Sequence, residues 1–389
     1  MYSITTFQEL LKGLPHGTVS KFIATKKADK YAKRFGHWDH LIAMLYAQLI
    51  GSPSLRAIEA GFNSHRSHHY HLHTSPIKRS TLADANEKRT GVVFSEIAGW
   101  LMGQVSRQLR RDGAELMYLL DSTSLTLKGR EFDRWTSENQ TRNTQGIKLH
   151  VLIDANDAVP VWHSMTAPNV NDITEALNAP LLPGALYVFD KGYNDYNWWF
   201  SIDQAGARFV SRFKRNAGLR ITEQLPIPAD DAHIVLADEL VTFNHRQLGA
   251  RRINRYHGKQ LRRVTVARPD KDTPIVLVTN DMNATAVQIA QNYKDRWGIE
   301  LFFKWVKQHL QIKQFLGRSE NAVRNQVMIA LIGYLLIALY KATHHATKTM
   351  WECLCIIRPT LFQRRETERI VCIRRGRQTL VASHQTCLF

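Results

Sequence analysis

No cysteine precedes Cys353, and the four the chain holds, Cys353, Cys355, Cys372 and Cys387, all lie near its end. A chain of 389 residues buries a core large enough to fold without covalent staples, so a disulfide scaffold is excluded. Cys353 and Cys355 follow His344 and His345, but a CxC pair lacks the CxxC spacing of structural zinc sites. Long apolar runs are also missing. Val327–Tyr340 is apolar but only 14 residues long, short of the about 18–20 that a membrane-spanning helix needs, so it reads as a buried helix and no membrane partner is expected. The start, MYSITTFQELLKGLP, shows no basic region followed by an apolar one and a cleavage site, which makes a cytoplasmic protein the expectation. Acidic residues are few. Thirty-four Asp and Glu face 52 Lys and Arg, a net charge of +18, and a surplus of that size most often meets a polyanion. Nucleic acid is the default partner.

The first part of the chain reads as helical. Phe7–Leu14 is followed by a basic segment, KKADKYAKRFG, then by HWDHLIAMLYAQLIG and SLRAIEAGF, parted by Gly51 and Pro53. Two helices joined by a tight turn suit a helix-turn-helix and a plain structural pair equally. The histidine-rich run from His65 to His73 reads as a loop facing a polyanion in preference to a metal tract. Ser80 is the expected N-cap of the helix that follows.

From Glu115 the texture changes to strands. ELMYLLDSTSL is an apolar run that delivers Asp121, expected at a strand tip. After a polar stretch, Lys128–Gln145, two runs of β-formers flank Ala155–Ala158 as a hairpin, with Asp154 and Asp157 as turn residues, and Asp172 is placed to cap the next helix. ALYVFDKGY repeats the first device: an apolar strand, then Asp190, then a glycine at which the chain can turn. A helix over Tyr193–Gln204 and the strand ARFVSRFKR come next. The region to about Val278 is rich in strand-like runs (HIVLA, LVTF, RRVTVAR, PIVLV) and interrupts an α/β alternation. From Arg208 to Arg268 it holds 13 Lys and Arg against 5 Asp and Glu, a basic insertion suited to clamping DNA or to a solvated sheet face.

Ala290–Leu310 has no proline and reads as one amphipathic helix. Ile299, Phe302, Phe303, Val306 and Leu310 share a face at i, i+3, i+4, i+7 spacing. Tyr293, Arg296, Glu300 and Lys307 stack along a stripe beside it. A carboxylate flanked by an Arg and a Lys suits a metal that grips a phosphodiester; a solvated face with i, i+4 ion pairs has the same pattern. Three carboxylates, Asp121, Asp190 and Glu300, brought together would repel, and one would take up a proton unless a cation were present. Hard oxygen ligands select Mg²⁺ or Mn²⁺, and two such ions about 3.5–4 Å apart serve in-line phosphoryl displacement.

The spacing Tyr293-x2-Arg296-x3-Glu300-x6-Lys307 resembles the Tyr-Arg-Glu-Lys signature of one large branch of the DDE transposases, the enzymes that move bacterial insertion sequences. The wider segment, YKDRWGIELFFKWVKQ, departs modestly from the branch at Lys294. DST at 121–123, KLHV at 148–151, DKGY at 190–193 and LVTN at 277–280 occur in the order that family shows. The resemblance covers about 115–345, more weakly what precedes it. It implies a helical N-terminal DNA-binding region (1–110), a ribonuclease H-like catalytic domain (111–345) and a basic C-terminal tail (346–389). The fold class is α/β, with a mixed five-stranded sheet, helices on both faces, and a β-rich insertion at about 214–278. It further implies Asp121, Asp190 and Glu300 as catalytic residues and as ligands of two Mg²⁺ (or Mn²⁺) ions, with Tyr293, Arg296 and Lys307 binding DNA. The expected partners are transposon ends and target DNA, bound by a homodimer in the bacterial cytoplasm at the nucleoid. Cut-and-paste through a hairpin is the expected route. The family's stacking aromatic in the insertion has only Phe243 and Tyr256 as candidates here, and no tryptophan. A catalytically inactive DNA-binding relic and a general metal nuclease of the same fold are the alternatives.

Overall fold

Met117–Leu120 are four apolar residues in succession, none more than 8% exposed. A run without a polar face belongs in a sheet covered on both sides. The computed structural model, which describes residues 4–111, 113–137, 140–141, 144–213, 217–248, 252–268, 271–310, 312 and 314–364, places this run at the start of a central strand, β1 (Met117–Thr126). β2 (Gly146–Asp154) and β3 (Val159–Thr166) continue as an antiparallel meander, turning at Ala155–Ala158 as expected. β4 (Leu186–Phe189) and β5 (Arg208–Arg212) add on the other side of β1, parallel to it. Helix Asp172–Ala176 precedes β4, and helix Tyr196–Gln204 connects β4 to β5. That helix starts three residues later than expected, because Lys191–Tyr193 is a short 3-10 turn and Asp195 caps the helix at Asn197 and Trp198.

The sheet is wider than the five strands expected. β6 (Leu219–Gln224), β7 (Val235–Phe243), the small ladder of β8 (Gln247–Leu248) with β9 (Arg252–Ile253), β10 (Leu261–Arg268) and β11 (Lys271–Thr279) make up the insertion. β11 pairs antiparallel with β5, so four insertion strands extend the same sheet to nine, in the order β3-β2-β1-β4-β5-β11-β10-β7-β6. The last three residues of HIVLA and all of LVTF belong to one strand, β7. The acidic pair between them, Asp238 and Glu239, is 5% and 7% exposed. Arg262 closes on Asp238 with two bonds of 2.8 and 2.6 Å, and Arg263 on Glu239 at 2.7 Å, so these buried charges stay inside the sheet as pairs.

Side chains alternate across β1. Tyr118 and Leu120 join a buried cluster with Ala176, Phe189, Tyr193, Trp198 and Trp199, under the helices that flank β4. Leu119 faces the opposite way, where a Cβ on Gly298 would lie 3.3 Å from it, so helix Trp297–His309 covers the second face. The expected single helix over Ala290–Leu310 is in fact two, Ala286–Asp295 and Trp297–His309. At Arg296 the chain tightens by i−3 bonds, Arg296 N–H to the Tyr293 carbonyl and Ile299 N–H to that of Arg296. Its apolar face is nonetheless as expected: Ile299, Phe302, Phe303, Val306 and Leu310 are all buried. In the polar stretch before β2, Arg130–Thr136 is helical.

These elements form one compact unit, Ala98–Gln308 with Arg318–Arg324; the other comprises the described residues within Met1–Ile97, His309–Gly317 and Asn325–Phe389. The second unit is helical. Its helices His37–Ile50 and Leu55–Asn63 are bent by 99° about a turn at Gly51, φ +78°, and Ser54 caps the second. The histidine run is not a loop: Arg66–His69 is a helical turn and Tyr70–Leu72 a 3-10 turn, with His69 buried against Phe62. Ser80 lies inside helix Arg79–Lys88, whose N-cap position is Lys78. Helix Met350–Thr360 belongs here too, with Arg358 Nε donating to the Leu49 carbonyl at 3.0 Å and Phe7 N–H to that of Leu361. Val327–Tyr340 lies within helix Glu320–His344, the one helix among the described residues long and apolar enough to cross a membrane, and 89% of its most apolar window is buried within the protein. The rest of the basic tail, with Cys372 and Cys387, lies outside the described residues.

Gly146 opens β2 at φ +150°, where a Cβ would meet the Leu125 carbonyl oxygen at 2.0 Å. Gly146→Ala should therefore lower the unfolding free energy by at least about 2 kcal/mol, read by denaturant titration. An unchanged midpoint would mean that β1 and β2 do not pair in this register.

Candidate active site

Two parallel ladders bring three charged residues into line. Leu120 of β1 pairs with Phe189 of β4, and Val188 of β4 with Val210 of β5. Continuing along the strands, Asp121, Asp190 and Arg212 stand abreast at the carboxyl end of the parallel segment, the edge at which α/β sheets hold ligands. Asp190 directly follows β4, as expected. Asp121 does not sit at a strand tip: β1 runs on to Thr126 because β2 keeps pairing with it, and only the parallel ladder ends at Leu120.

The broken helix supplies the rest. Tyr293 lies on the first half, Arg296 at the junction, Glu300 and Lys307 on the second. The Tyr293 hydroxyl donates to Asp190 Oδ1 at 3.2 Å. Arg296 reaches two carboxylates at once, Nη1 at 3.5 Å from Asp121 Oδ2 and Nη2 at 2.6 Å from Glu300 Oε1. Lys307 Nζ donates to Thr123 Oγ1 at 2.5 Å and to the Ser124 carbonyl at 3.2 Å, two and three residues beyond Asp121. All six residues singled out in the sequence thus gather around the middle of β1, from the point where the parallel ladder ends. Each of the three expected DNA contacts holds a protein group here.

Burial, with crowding behind it, shows in the protonation. Asp121 is pushed up to about 6, chiefly by burial, helped by the neighbouring charges of Glu300 and Asp172 and opposed by the Ser122 N–H and Arg296. Burial and the Asp190 carboxylate push the Tyr293 phenol up to about 12. Three carboxylates are hard oxygen donors of the kind that bind Mg²⁺, and a divalent cation would relieve their repulsion. Among the described residues no group of three or more His, Cys, Asp or Glu is already drawn together to hold an ion. The donor set fits in chemistry, and Arg296 now supplies the positive charge between Asp121 and Glu300.

Sequence reasoning missed several neighbours. Arg212 stands 4.0 Å from Asp190 Oδ1. Asp172 is not a cap: the N-cap of its helix is Asn171, and its carboxylate instead accepts from Ser122 Oγ at 2.8 Å and pairs with Lys148 at 3.1 Å. The signal was present in KLHV, whose Lys148 and His150 fall opposite Ser124 and Ser122, but only the strand register reveals it. Phe243 and Tyr256, the aromatics of the insertion, are both buried, whereas Trp297 is 57% exposed and borders a cavity of about 870 Å³ lined by Ile234, Val266, Leu277 and Tyr293. The charge of the insertion is partly spent inside the unit. Arg208, Arg252, Lys259, Arg262 and Arg263 pair with Asp281 and Glu115, Asp195, Asp203, Asp238 and Glu239 respectively, leaving Arg220, Arg246 and Arg255 among its exposed cations.

Residues 113–336 match a family described as the transposase DDE domain, and residues 3–73 match a family described as a domain of unknown function. A protein of Sinorhizobium fredii named as a transposase is 39% identical over 291 residues, covering 74% of this chain and 79% of that one. A protein of Geobacillus stearothermophilus named as the transposase of an insertion sequence element is 28% identical over 272 residues, 68% of each chain. Among solved structures, a piggyBac transposase synaptic complex with hairpin DNA superposes with a TM-score of 0.46 at 12% identity, covering 91% of this chain and 77% of that one, too loose a likeness to carry an argument.

Because Asp121 is raised, the folded state binds its proton more tightly than the unfolded state. Its contribution is therefore favourable at low pH and is lost as pH rises from the ordinary 3.8 through about 6. Asp121→Asn should raise the thermal midpoint at pH 7 and leave it nearly unchanged at pH 4. A variant less stable than the parent at pH 7 would contradict the crowding.

Proposed function

Since the chain belongs to the transposase DDE-domain family, we propose that it is a working transposase that binds the ends of its own insertion sequence, cuts them, and joins them to target DNA by metal-dependent phosphoryl transfer. The observation that carries this reading is the convergence of Asp121, Asp190 and Glu300, from two strands and a helix, around Tyr293 and Arg296. The first five strands, in the order β3-β2-β1-β4-β5 with β4 and β5 parallel to β1, support a ribonuclease H-like reading of the catalytic part.

Asp121, Asp190 and Glu300 would hold two Mg²⁺ or Mn²⁺ ions. The chemistry such ions would supply there is activation of a water or a DNA 3′-hydroxyl and stabilisation of the leaving oxygen. The chain's own cations do the rest. Arg296, relieved of its carboxylates, presents a planar fork to a phosphate. Lys307 and the Tyr293 hydroxyl flank the same phosphodiester, and Arg212 stands at its far side, next to Asp190.

Joining two ends calls for two active sites, so the active form is a homodimer on DNA. The bent helix pair of the N-terminal unit, residues 1–110 in the sequence reading, supports a role in end recognition, at the nucleoid in the bacterial cytoplasm. Cut-and-paste through a hairpin needs an aromatic to hold displaced DNA. With Phe243 and Tyr256 buried, the exposed ring of Trp297, next to Arg296, serves that purpose best.

Strand transfer in Mg²⁺ on DNA carrying the element's own ends tests this function. End binding with no nicking at any metal concentration would identify an inactive relic, and cleavage regardless of end sequence a general nuclease. Glu300→Gln should remove cleavage while end binding persists, because the loss falls on ion coordination; retained nicking in that variant rejects the assignment. Arg296→Ala should weaken end binding and flatten its salt dependence by about one unit of slope. An unchanged slope would remove Arg296 from the DNA contacts.

A further inference from the structure

A second polar set lies behind Asp121, on the other face of β1. Leu119, Asp121 and Thr123 point toward helix Trp297–His309, where Gly298 and Lys307 meet them. Ser122 points away, after Leu120 and Tyr118, into the side occupied by Tyr193 and helix Asp172–Ala176. The β1–β2 register sets His150 across from Ser122 and Lys148 across from Ser124. Three groups converge there on one carboxylate oxygen, Asp172 Oδ1. Ser122 Oγ donates to it at 2.8 Å, Lys148 Nζ stands 3.1 Å away, and His150 Nδ1 lies 3.7 Å away. Lys148 also donates to the Val170 carbonyl at 2.7 Å, and His150 Nε2 lies 2.9 Å from Thr166 Oγ1, so the strand end before the Asp172 helix is tied down as well.

The short helix that begins at Asp172 packs against both β1 and the turn Lys191–Tyr193. These are the elements that carry Asp121 and immediately follow Asp190. Tyr193 is 2% exposed, and the carboxylates of Asp172, Asp121 and Asp190 all bear on its hydroxyl, raising its pKa together with burial. An ion pair that stays partly exposed, as Asp172 does at 30%, adds little to stability even beside a buried histidine. What they supply is geometry. A carboxylate held by a hydroxyl, an ammonium and an imidazole fixes the elements that bear those groups at one separation, as polar partners behind a metal ligand do.

We infer that Asp172, held by Lys148 and Ser122, is a positioning residue that sets Asp121 and Asp190 at the separation required to bind divalent ions. The inference rests on the proposed metal-dependent site. Asp172 acts through Ser122 and the strand behind Asp121; its Oδ1 is already engaged by the serine and the lysine and is not offered as a ligand.

The test is Mn²⁺ binding by calorimetry on the full-length protein without DNA, alongside end cleavage as a function of Mn²⁺, for Ser122→Ala, Asp172→Asn and Glu300→Gln. Ser122→Ala and Asp172→Asn should each raise the Mn²⁺ concentration for half-saturation by about ten-fold. End binding should be unchanged, and saturating Mn²⁺ should restore the cleavage rate of Ser122→Ala at an unaltered thermal midpoint. A purely structural role would lower the midpoint without moving the metal titration, and that result overturns the inference. So does an Asp172→Asn protein that binds no Mn²⁺ at any concentration, which would make Asp172 a ligand. Where Asp172→Asn fails to fold, Ser122→Ala decides, since it removes one hydroxyl. Cleavage by Glu300→Gln would defeat the proposed site itself; an inactive Glu300→Gln beside parental titrations in the other two defeats only the positioning role.

Discussion

Burial of an acid beside two others, answered by the guanidinium of Arg296, is the constraint on which the catalytic unit turns. Asp121 and Asp190 arrive abreast because the parallel ladder of β1 and β4 stops one residue before each. Glu300 arrives because the buried face of its helix locks the other face toward β1. Nothing in that packing neutralises the acids. Arg296, set at the break between two helices, reaches both Asp121 and Glu300, and Tyr293, less than one turn earlier, holds Asp190. A fold that gathers acids in this way accepts a local cost in stability, as sites prepared for a cation generally do.

The break at Arg296 bears directly on that arrangement. In an uninterrupted helix the four signature residues would lie along one stripe. With the tightened junction, Arg296 stands between the halves and can face two carboxylates, while Lys307 runs down the strand to Thr123 and Ser124. The same cations that would grip a phosphodiester thus hold protein groups together. In the proposed reaction, an ion entering the carboxylates and a phosphate drawing off Arg296 would be two halves of one exchange of charge.

Much of this was legible in the sequence. The five ordered segments, the strand before Asp190 and the buried face of the signature helix read correctly because each rests on local apolar pattern and on spacing within one element. What escaped reading depends on partners distant in the chain. The break at Arg296 comes from two i−3 bonds that a spacing of 3, 4 and 7 cannot register. Asp172 read as a cap because an Asp ahead of a helix usually is one, and only the pairing of β1 with β2 sets it beside Lys148 and Ser122. The insertion read as β-rich but outside a five-stranded sheet, and joins that sheet because β5 leaves an edge that β11 fills. Its net charge overstated the free cations, since several of their acidic partners, such as Asp195, Asp203 and Asp281, lie outside the insertion strands. The C-terminal helix Met350–Thr360 gave no sign that it belongs with the N-terminal helices.

The position of a bound ion tests the central claim most directly. In crystals of the protein with Mn²⁺ and cleaved end DNA, anomalous scattering should mark ions ligated by Asp121, Asp190 and Glu300, with Arg296 turned from Glu300 onto a phosphate. Anomalous peaks away from these three residues, or Arg296 still bridging Asp121 and Glu300 with ions and DNA bound, would contradict the account.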